Sequence, residues 1–322
     1  MLDLDECIAA VEDAFRLRGE ARAQPAGILG FHASGGGFHV KAAALPSGGR
    51  LSRSYFAAKI NGNFPANRER FGMPSIQGVV LLCDADNGYP LALLDSIEIT
   101  IRRTGAATAV AAKHLARENS RVAAVCGCGR QGRIQLAALT RVRRLEQAWA
   151  FDRDADVSRR FAAEMSEVLN LGVEAVSDFA AAARRADIVV TCTPSREPLL
   201  GAGDVSPGTF VAAVGADSPE KQELDPGLLA AARVVVDSLE QCSEIGELHH
   251  ALETGALVRS NVHAELSELV AGSKPGRLSP EEITVFDSTG TALQDAAAAA
   301  LVYEKALKQG PRRLLDFGGS AG

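Results

Sequence analysis

Val122-Ala123-Ala124-Val125-Cys126-Gly127-Cys128-Gly129-Arg130-Gln131-Gly132 is the stretch whose reading decides the fold. It reads as a buried strand that turns through a G-x-G-x-x-G loop into a helix. A second apolar strand, Ala148-Trp149-Ala150-Phe151, ends at Asp152, 25 residues after the first glycine. Strand, glycine triad, helix and an acid at that distance together specify a dinucleotide site. Gly127 permits the tight turn, Gly129 lets backbone approach a pyrophosphate, and Gly132 lets the helix pack against the strand. Arg130 and Gln131 open that helix, whose free N–H groups and positive dipole end suit phosphates. Asp152 can accept from both hydroxyls of an adenosine ribose and repels a 2′-phosphate. The expected cofactor is therefore NAD, and Arg153, the next residue, leaves NADP open.

Working outward, the segment from 121 to about 290 alternates strands and helices. Strands are expected at 122–126, 147–151, 172–176, 187–192, 209–214, 233–237 and 282–286. This pattern predicts a doubly wound, Rossmann-type parallel sheet covered by helices. Before it, residues 3–20 carry Leu4, Ile8, Val11 and Phe15 at helical spacing. The stretch 27–100 is β-rich, with strands expected at Phe38–Ala44, Ser54–Ile60, Val79–Asp84 and Leu91–Asp95. Asp86-Asn87-Gly88-Tyr89 has hairpin-turn composition. A helix over Ile97–Asn119 leads into the first nucleotide strand, and an alanine-rich helix over Ala296–Lys308 precedes a frayed 310–322. The α/β fold expected is thus two domains. Residues 1–115, joined by 296–322, form a β-rich α+β domain for substrate and dimerisation, and 116–295 bind the dinucleotide.

Composition narrows the class of function. The 322 residues are 47% hydrophobic and carry a net charge of −6, which offers nothing to nucleic acid. No run of 18 apolar residues occurs, and the start Met1-Leu2-Asp3-Leu4-Asp5-Glu6 is acidic. A cytoplasmic protein without a membrane partner is expected. The six cysteines are scattered; Cys126 and Cys128 act as small residues in the nucleotide turn, and no Cys/His set has zinc-like spacing. His249-His250 reads as helix surface, so no metal site is expected.

Several segments, in order along nearly the whole chain, resemble the ornithine cyclodeaminase/μ-crystallin family, most closely its archaeal alanine dehydrogenase branch. They are Lys59-Ile60-Asn61, Pro65-Ala66-Asn67, Gly88-Tyr89-Pro90-Leu91-Ala92, Arg103-Thr104-Gly105-Ala106-Ala107, Gly127-Cys128-Gly129-Arg130-Gln131, Thr191-Cys192-Thr193-Pro194-Ser195, Gly215-Ala216-Asp217, Lys221-Gln222-Glu223-Leu224-Asp225 and Phe286-Asp287-Ser288-Thr289-Gly290. The resemblance implies a homodimeric oxidoreductase of small 2-amino or 2-imino acids, an amino-acid dehydrogenase or ketimine reductase. Ornithine cyclodeaminase and a μ-crystallin-like NAD(P)H-binding protein without turnover are the alternatives. It also implies roles. Asp217 is the acid beside the nicotinamide, and Lys59, which also counts as catalytic, and Arg103 hold the substrate carboxylate. Thr104, Gly129, Gln131, Asp152, Thr193, Val214 and Ser288 contact the cofactor. The family's further arginine, in an Arg-x-Met-Pro segment, is replaced here by His39-Val40-Lys41-Ala42, so His39 or Lys41 takes its place and bidentate recognition is lost.

The residues themselves bear on these roles. Lys59 lies in the apolar run Tyr55–Ile60 and is either edge-exposed or buried with a partner. Arg103 on its own reads as a solvated helix arginine, like Arg102. Asp217 follows the apolar run Phe210–Val214, at the sheet edge where α/β folds bind ligands. It could equally cap a turn with Ser218-Pro219, and Lys221, four residues on, could hold it ionised. Residues 21–68 contain no acid, where about six are expected at the chain's average. They contain Arg22, Lys41, Arg50, Arg53, Lys59, Arg68 and two histidines. Such a stretch reads either as a basic surface or dimer face, or as a pocket for an anionic substrate, and it lacks the carboxylate with which, as the resemblance implies, the family's cyclodeaminases hold a distal amine.

Overall fold

The computed structural model describes residues 2–310; the remainder of the expected frayed tail, 311–322, lies outside the described residues. In chain order the elements are α1 (Leu4–Gly19), β1 (Gly27–Ala33), β2 (Gly36–Leu45), β3 (Tyr55–Asn63), α2 (Asn67–Phe71), β4 (Ile76–Asp84), β5 (Pro90–Asp95), α3 (Ser96–Leu115), β6 (Val122–Cys126), α4 (Arg130–Leu139), β7 (Gln147–Phe151), α5 (Ala155–Leu169), β8 (Gly172–Ala175) and α6 (Phe179–Ala183). They continue with β9 (Ile188–Thr191), β10 (Arg196–Leu200), β11 (Phe210–Ala213), β12 (Gln222–Leu224), α7 (Pro226–Ala231), β13 (Arg233–Val236), α8 (Leu239–Ile245), α9 (Glu247–Glu253), β14 (Ala264–Glu265), α10 (Leu266–Val270), β15 (Thr284–Asp287) and α11 (Ala292–Gln309). Among the described residues two compact units result: 2–103 with 291–310, and 104–290. None of the described helices is long and apolar enough to cross a membrane.

The first unit is a five-stranded antiparallel sheet in the order β1-β2-β3-β4-β5. Strand β1 was not among the expected strands. Two of its seven residues are glycine and all seven are exposed, so it lacks the half-buried alternation by which strands are recognised. The Asp86–Tyr89 segment closes the β4–β5 hairpin, with Gly88 at φ +79° and its N–H donating to Asp84 O at 2.9 Å. Helix α1 starts where Asp3 accepts from the N–H groups of Asp5 and Glu6, and it buries Leu4, Ile8, Val11 and Phe15. Helix α11 packs on α1, β2 and β3. Its alanines 296–300 are all buried, and such small side chains bring a helix close to a sheet. The apolar pattern on the covered face of the sheet is broken by Lys59 and its cross-strand partner Lys41. The opposite face carries Leu29, Phe31, Phe38, Val40, Phe56, Ile60, Val79 and Leu93. Cross-strand pairs such as Leu29–Val40, Phe31–Phe38, Val40–Ile60 and Ile60–Val79 place these side chains on one side.

The second unit holds an all-parallel sheet in the order β14-β13-β15-β11-β9-β6-β7-β8. Strands β9, β11 and β15 are buried along their whole length, as expected for a sheet covered on both faces. Val189, Val211, Val234 and Val285 form its centre, with Trp149, Phe179, Leu228 and Leu248 packed around them. Successive strands run outward from β6 in both directions, through β7 and β8 on one side and through β9 and β11 on the other. The order therefore reverses between β6 and β9, and ligands of such sheets bind outside the carboxyl ends of the strands at that reversal.

Close packing at this point fixes where glycine is required. A Cβ on Gly132 would lie 2.1 Å from the carbonyl oxygen of Gly127, whereas one on Gly129, at φ −78°, would meet nothing within 4 Å. Gly132→Ala should destabilise the protein by about 1–3 kcal/mol in denaturant unfolding. Gly129→Ala should cost only a few tenths of a kcal/mol. Equal losses for the two variants would contradict this packing.

Candidate functional site

The loop after β6 has the features of a phosphate cradle. Gly127 sits at φ +100°, and a Cβ there would approach the Cys192 carbonyl oxygen to 2.8 Å. Helix α4 begins at Arg130 with Gly129 as its cap, so no side chain covers the first amides. Arg133 occupies the loop's carbonyls from the protein side: Nη1 donates to Cys128 O at 2.5 Å and to Gly129 O at 3.2 Å. Glu164 clamps the same guanidinium at Nε and Nη2, 3.1 and 2.7 Å away. The buried Oε1 of Gln131 has no hydrogen-bond partner among the described residues. An open glycine, uncapped amides and an orphaned amide oxygen fit a dinucleotide.

The other expected cofactor residues lie in the same unit. Asp152 is half-buried at the end of β7; Oδ2 accepts from Cys128 N at 3.0 Å and Oδ1 from Asp154 N at 3.1 Å. Its neighbour Arg153 is exposed, as is Arg130, and Thr104 is buried. Thr193, Val214 and Ser288 follow β9, β11 and β15, so the parallel sheet brings them to the edge that carries the glycine loop. The Ser288 hydroxyl donates to Asp237 Oδ2 at 3.1 Å, and Thr193 Oγ1 accepts from Ser195 N at 3.1 Å.

The substrate residues expected from the sequence lie in the first unit, except Asp217. Lys59 and Arg103 are each 5% exposed. Both meet one carboxylate, that of Asp295 on α11: Lys59 Nζ is 2.7 Å from Oδ2, and Arg103 Nε donates to Oδ1 at 3.0 Å. Arg103 Nη1 also donates to Gln294 Oε1 at 2.9 Å, and Lys59 Nζ to Thr100 Oγ1 at 3.5 Å. Of the two readings of Lys59, the buried and paired one holds; the solvated reading of Arg103 does not. Lys41 is the direct cross-strand partner of Lys59, and His39 is the partner of Asn61, so all four share one face of the sheet. Lys41 is half-buried and His39 exposed. Burial lowers the Lys59 pKa to about 8; Asp295 opposes that fall, while Arg103 and Lys41 add to it. Burial alone would raise the Asp295 carboxyl, but Lys59 and Arg103 hold it below the usual range.

Asp295 was not legible as a site residue. Its one signal is an acid on the otherwise apolar face made by Ala292, Ala296 and Ala299. Asp217 is half-exposed in the loop after β11, and Lys221 Nζ lies 2.5 Å from its Oδ1, so the lysine four residues on does hold the carboxylate. His249 and His250 lie with Glu253 on α9. One ring nitrogen of each has a backbone partner, His250 Nε2 with Lys221 O at 2.8 Å and His249 Nδ1 with Ser243 O at 3.3 Å.

A second set of acids, also unforeseen, braces the sheet edge. Glu223 accepts from Thr193 N at 2.6 Å and from Gly215 N at 2.9 Å, tying the loops after β9 and β11 to one carboxylate. Glu247 accepts from the N–H groups of Glu223 and Leu224 at 2.8 and 3.0 Å. Asp287 accepts from Leu248 N at 2.9 Å, and Asp237 from Gly290 N at 2.6 Å. Burial raises the carboxyls of Glu223 and Glu247, and it raises Asp287 to about 7, with Asp237 adding repulsion. A carboxyl that holds its proton in the folded state and loses it in the unfolded chain weakens the fold as pH rises. For Asp287 the window runs from about pH 4 to about pH 7. Asp287→Asn keeps the acceptor for Leu248 and cannot ionise. Its stability relative to the parent should therefore rise between pH 5 and 7.5, by on the order of 1–3 kcal/mol in denaturant unfolding. A pH-independent difference would show that Asp287 does not titrate there.

The chain is 40% identical over 319 residues to the alanine dehydrogenase of Archaeoglobus fulgidus, covering 98% of this chain and 95% of that one. Among solved structures it superposes on an archaeal alanine dehydrogenase dimer with bound NAD, at TM-score 0.90 and 39% identity, over 95% of this chain and 92% of the other. It also superposes on the Δ1-pyrroline-2-carboxylate reductase of Thermococcus litoralis in complex with NADH and L-proline, at TM-score 0.86 and 34% identity, over 95% and 94%. The family model for ornithine cyclodeaminase/mu-crystallin proteins matches residues 1–310, and the chain belongs to that family.

Proposed function

We propose that the protein is an NAD-dependent oxidoreductase of small 2-amino and 2-imino acids, working as an amino-acid dehydrogenase or ketimine reductase. The observation that carries this reading is the buried pair Lys59 and Arg103 sharing the single carboxylate of Asp295. Two cations and one anion in a dry place leave a net positive charge, which suits a substrate carboxylate. The relatives support the reading, since their names place them on alanine and on a cyclic imino acid. NADH, when bound, would supply the hydride; the glycine loop would hold its pyrophosphate through the first amides of α4, and Asp152 its ribose. Lys59 and Arg103, with Lys41 or His39 in place of the family's further arginine, fix the carboxylate and so orient C2 of the substrate. Asp217, whose Oδ1 lies 2.5 Å from Lys221 Nζ, exchanges the proton at the substrate nitrogen. The acid-free strands β1 to β3 offer no carboxylate for a distal ammonium, which favours this reading over ornithine cyclisation.

The partner we propose is a second copy of the chain. Leu29, Phe31 and Leu93, 54%, 54% and 55% exposed, lie on an apolar sheet face of the kind that marks an interface. Six unpaired thiols fit a reducing compartment, so we place the protein in the cytoplasm.

The protein should oxidise NADH when given pyruvate or glyoxylate with ammonia or methylamine, or pyrroline-2-carboxylate, and should prefer NADH to NADPH. Asp217→Asn should lower turnover by at least about 100-fold with NADH affinity unchanged. Proline formed from ornithine without imine reduction would instead establish a cyclodeaminase. Tight NADH binding without turnover of any substrate would establish a binding protein. Light scattering should give the mass of a dimer, and Phe31→Asp with Leu93→Asp should give a monomer.

A further inference from the structure

We infer that Asp295 is a positioning residue for the substrate carboxylate: by engaging one donor of Lys59 and one of Arg103 it orients both and leaves their remaining donors for the incoming anion. The inference rests on the carboxylate site named under Proposed function. Asp295 takes Arg103 through Nε and Gln294 takes it through Nη1, so the guanidinium is fixed at two of its three nitrogens. Nη2 has no partner among the described residues. Lys59 Nζ meets Asp295 and Thr100 and carries a third hydrogen. Gln294 and Asp295 are adjacent at the start of α11, so one helix end sets both cations. Of these five side chains, the four other than that of Thr100 are each at least 94% buried.

The charge balance explains why this position holds an acid. Lys59, Arg103 and Asp295 together carry one positive charge, which one substrate carboxylate neutralises. Without Asp295 the two cations would face each other with no counter-charge, and Lys59, the one able to do so, would release its proton. The groups that face Lys59 are Lys41 from β2, Arg103 and Thr100 from α3, Asp295 from α11, and the uncharged Val80 from β4. Asp295 is the one anion among them. A neutral Lys59 cannot hold a carboxylate, so Asp295 also determines how far into the alkaline range the substrate binds.

Two measurements on the full-length protein test this. In the first, kcat/KM for the imino acid is followed from pH 6 to 10 at saturating NADH. The parent should show an alkaline fall that is absent in Lys59→Arg, whose guanidinium does not titrate. Asp295→Asn should move that fall down by at least about one pH unit. It should raise KM at least about tenfold at pH 8 and much less at pH 6, with NADH affinity unchanged. Asp295→Glu, which keeps the charge, should fold and show the fall within about half a unit of the parent. In the second, NMR of isotopically labelled lysine follows the Lys59 titration directly and needs no turnover. Its midpoint should fall in Asp295→Asn and stay near the parent's in Asp295→Glu. A KM raised equally at every pH, or a Lys59 midpoint unmoved in Asp295→Asn, would overturn the inference. So would an Asp295→Glu variant as displaced as Asp295→Asn, or one that fails to fold. If the Lys59 midpoint moves as expected while KM responds to neither Lys59→Arg nor Asp295→Asn, the error lies in the placement of the carboxylate site.

Discussion

The carboxylate of Asp295 lies 2.7 Å from the ammonium of Lys59 and 3.0 Å from the guanidinium of Arg103, and water reaches almost none of the three. Charges so placed must be balanced by the protein itself, because a buried unpaired ion is too costly to persist. The need to balance charge without solvent accounts for much of what is unusual in both units. In the first unit two cations are held by one acid, which leaves one positive charge in surplus. In the second, Glu223, Glu247, Asp237 and Asp287 form no ion pair with a lysine or arginine among the described residues. They accept from backbone N–H groups instead, and Asp237 also from the hydroxyls of Ser288 and Thr289.

Those two solutions serve different ends. Backbone amides that donate to a carboxylate fix the path of the chain, so the four acids hold the loops and helix ends around the sheet edge where a cofactor would lie. Glu223 makes the point most directly, since one side chain joins the turns after β9 and β11, and a Cβ on Gly215 would come within 2.5 Å of its carboxylate. The glycine loop is braced in the same spirit by Arg133, whose hydrogen bonds occupy carbonyls and leave the amides of α4 for an anion.

Much of this was legible from the chain alone. The glycine triad, the apolar parallel strands and Asp152 announce the nucleotide-binding sheet, because each acts through local backbone geometry or a period set by secondary structure. The resemblance of the Lys59, Arg103 and Asp217 segments to a known family pointed to the correct family and to residues that do lie in buried or strand-end positions. Strand β1 escaped notice because its glycines and full exposure erase the alternation that marks a strand. Asp295 escaped because it lies 192 positions after Arg103 and 236 after Lys59 in a helix whose composition suggested only close packing. Asp287 escaped because an acid at the end of an apolar strand reads equally as a turn or a cap, and Glu223 because it lies inside the three-residue strand β12, which was not expected.

By itself, then, the sequence determined what depends on neighbours along the chain: the strand–glycine–helix turn, the alternation of strands and helices, the acid-free basic stretch and the family likeness. Tertiary structure alone decided the charge state of the site. Whether Lys59 is a solvated edge residue or a buried cation depends on burial and on which acid the fold delivers to it. Both are properties of packing between distant segments, and electrostatic energy follows distance in space and access to water rather than separation along the chain.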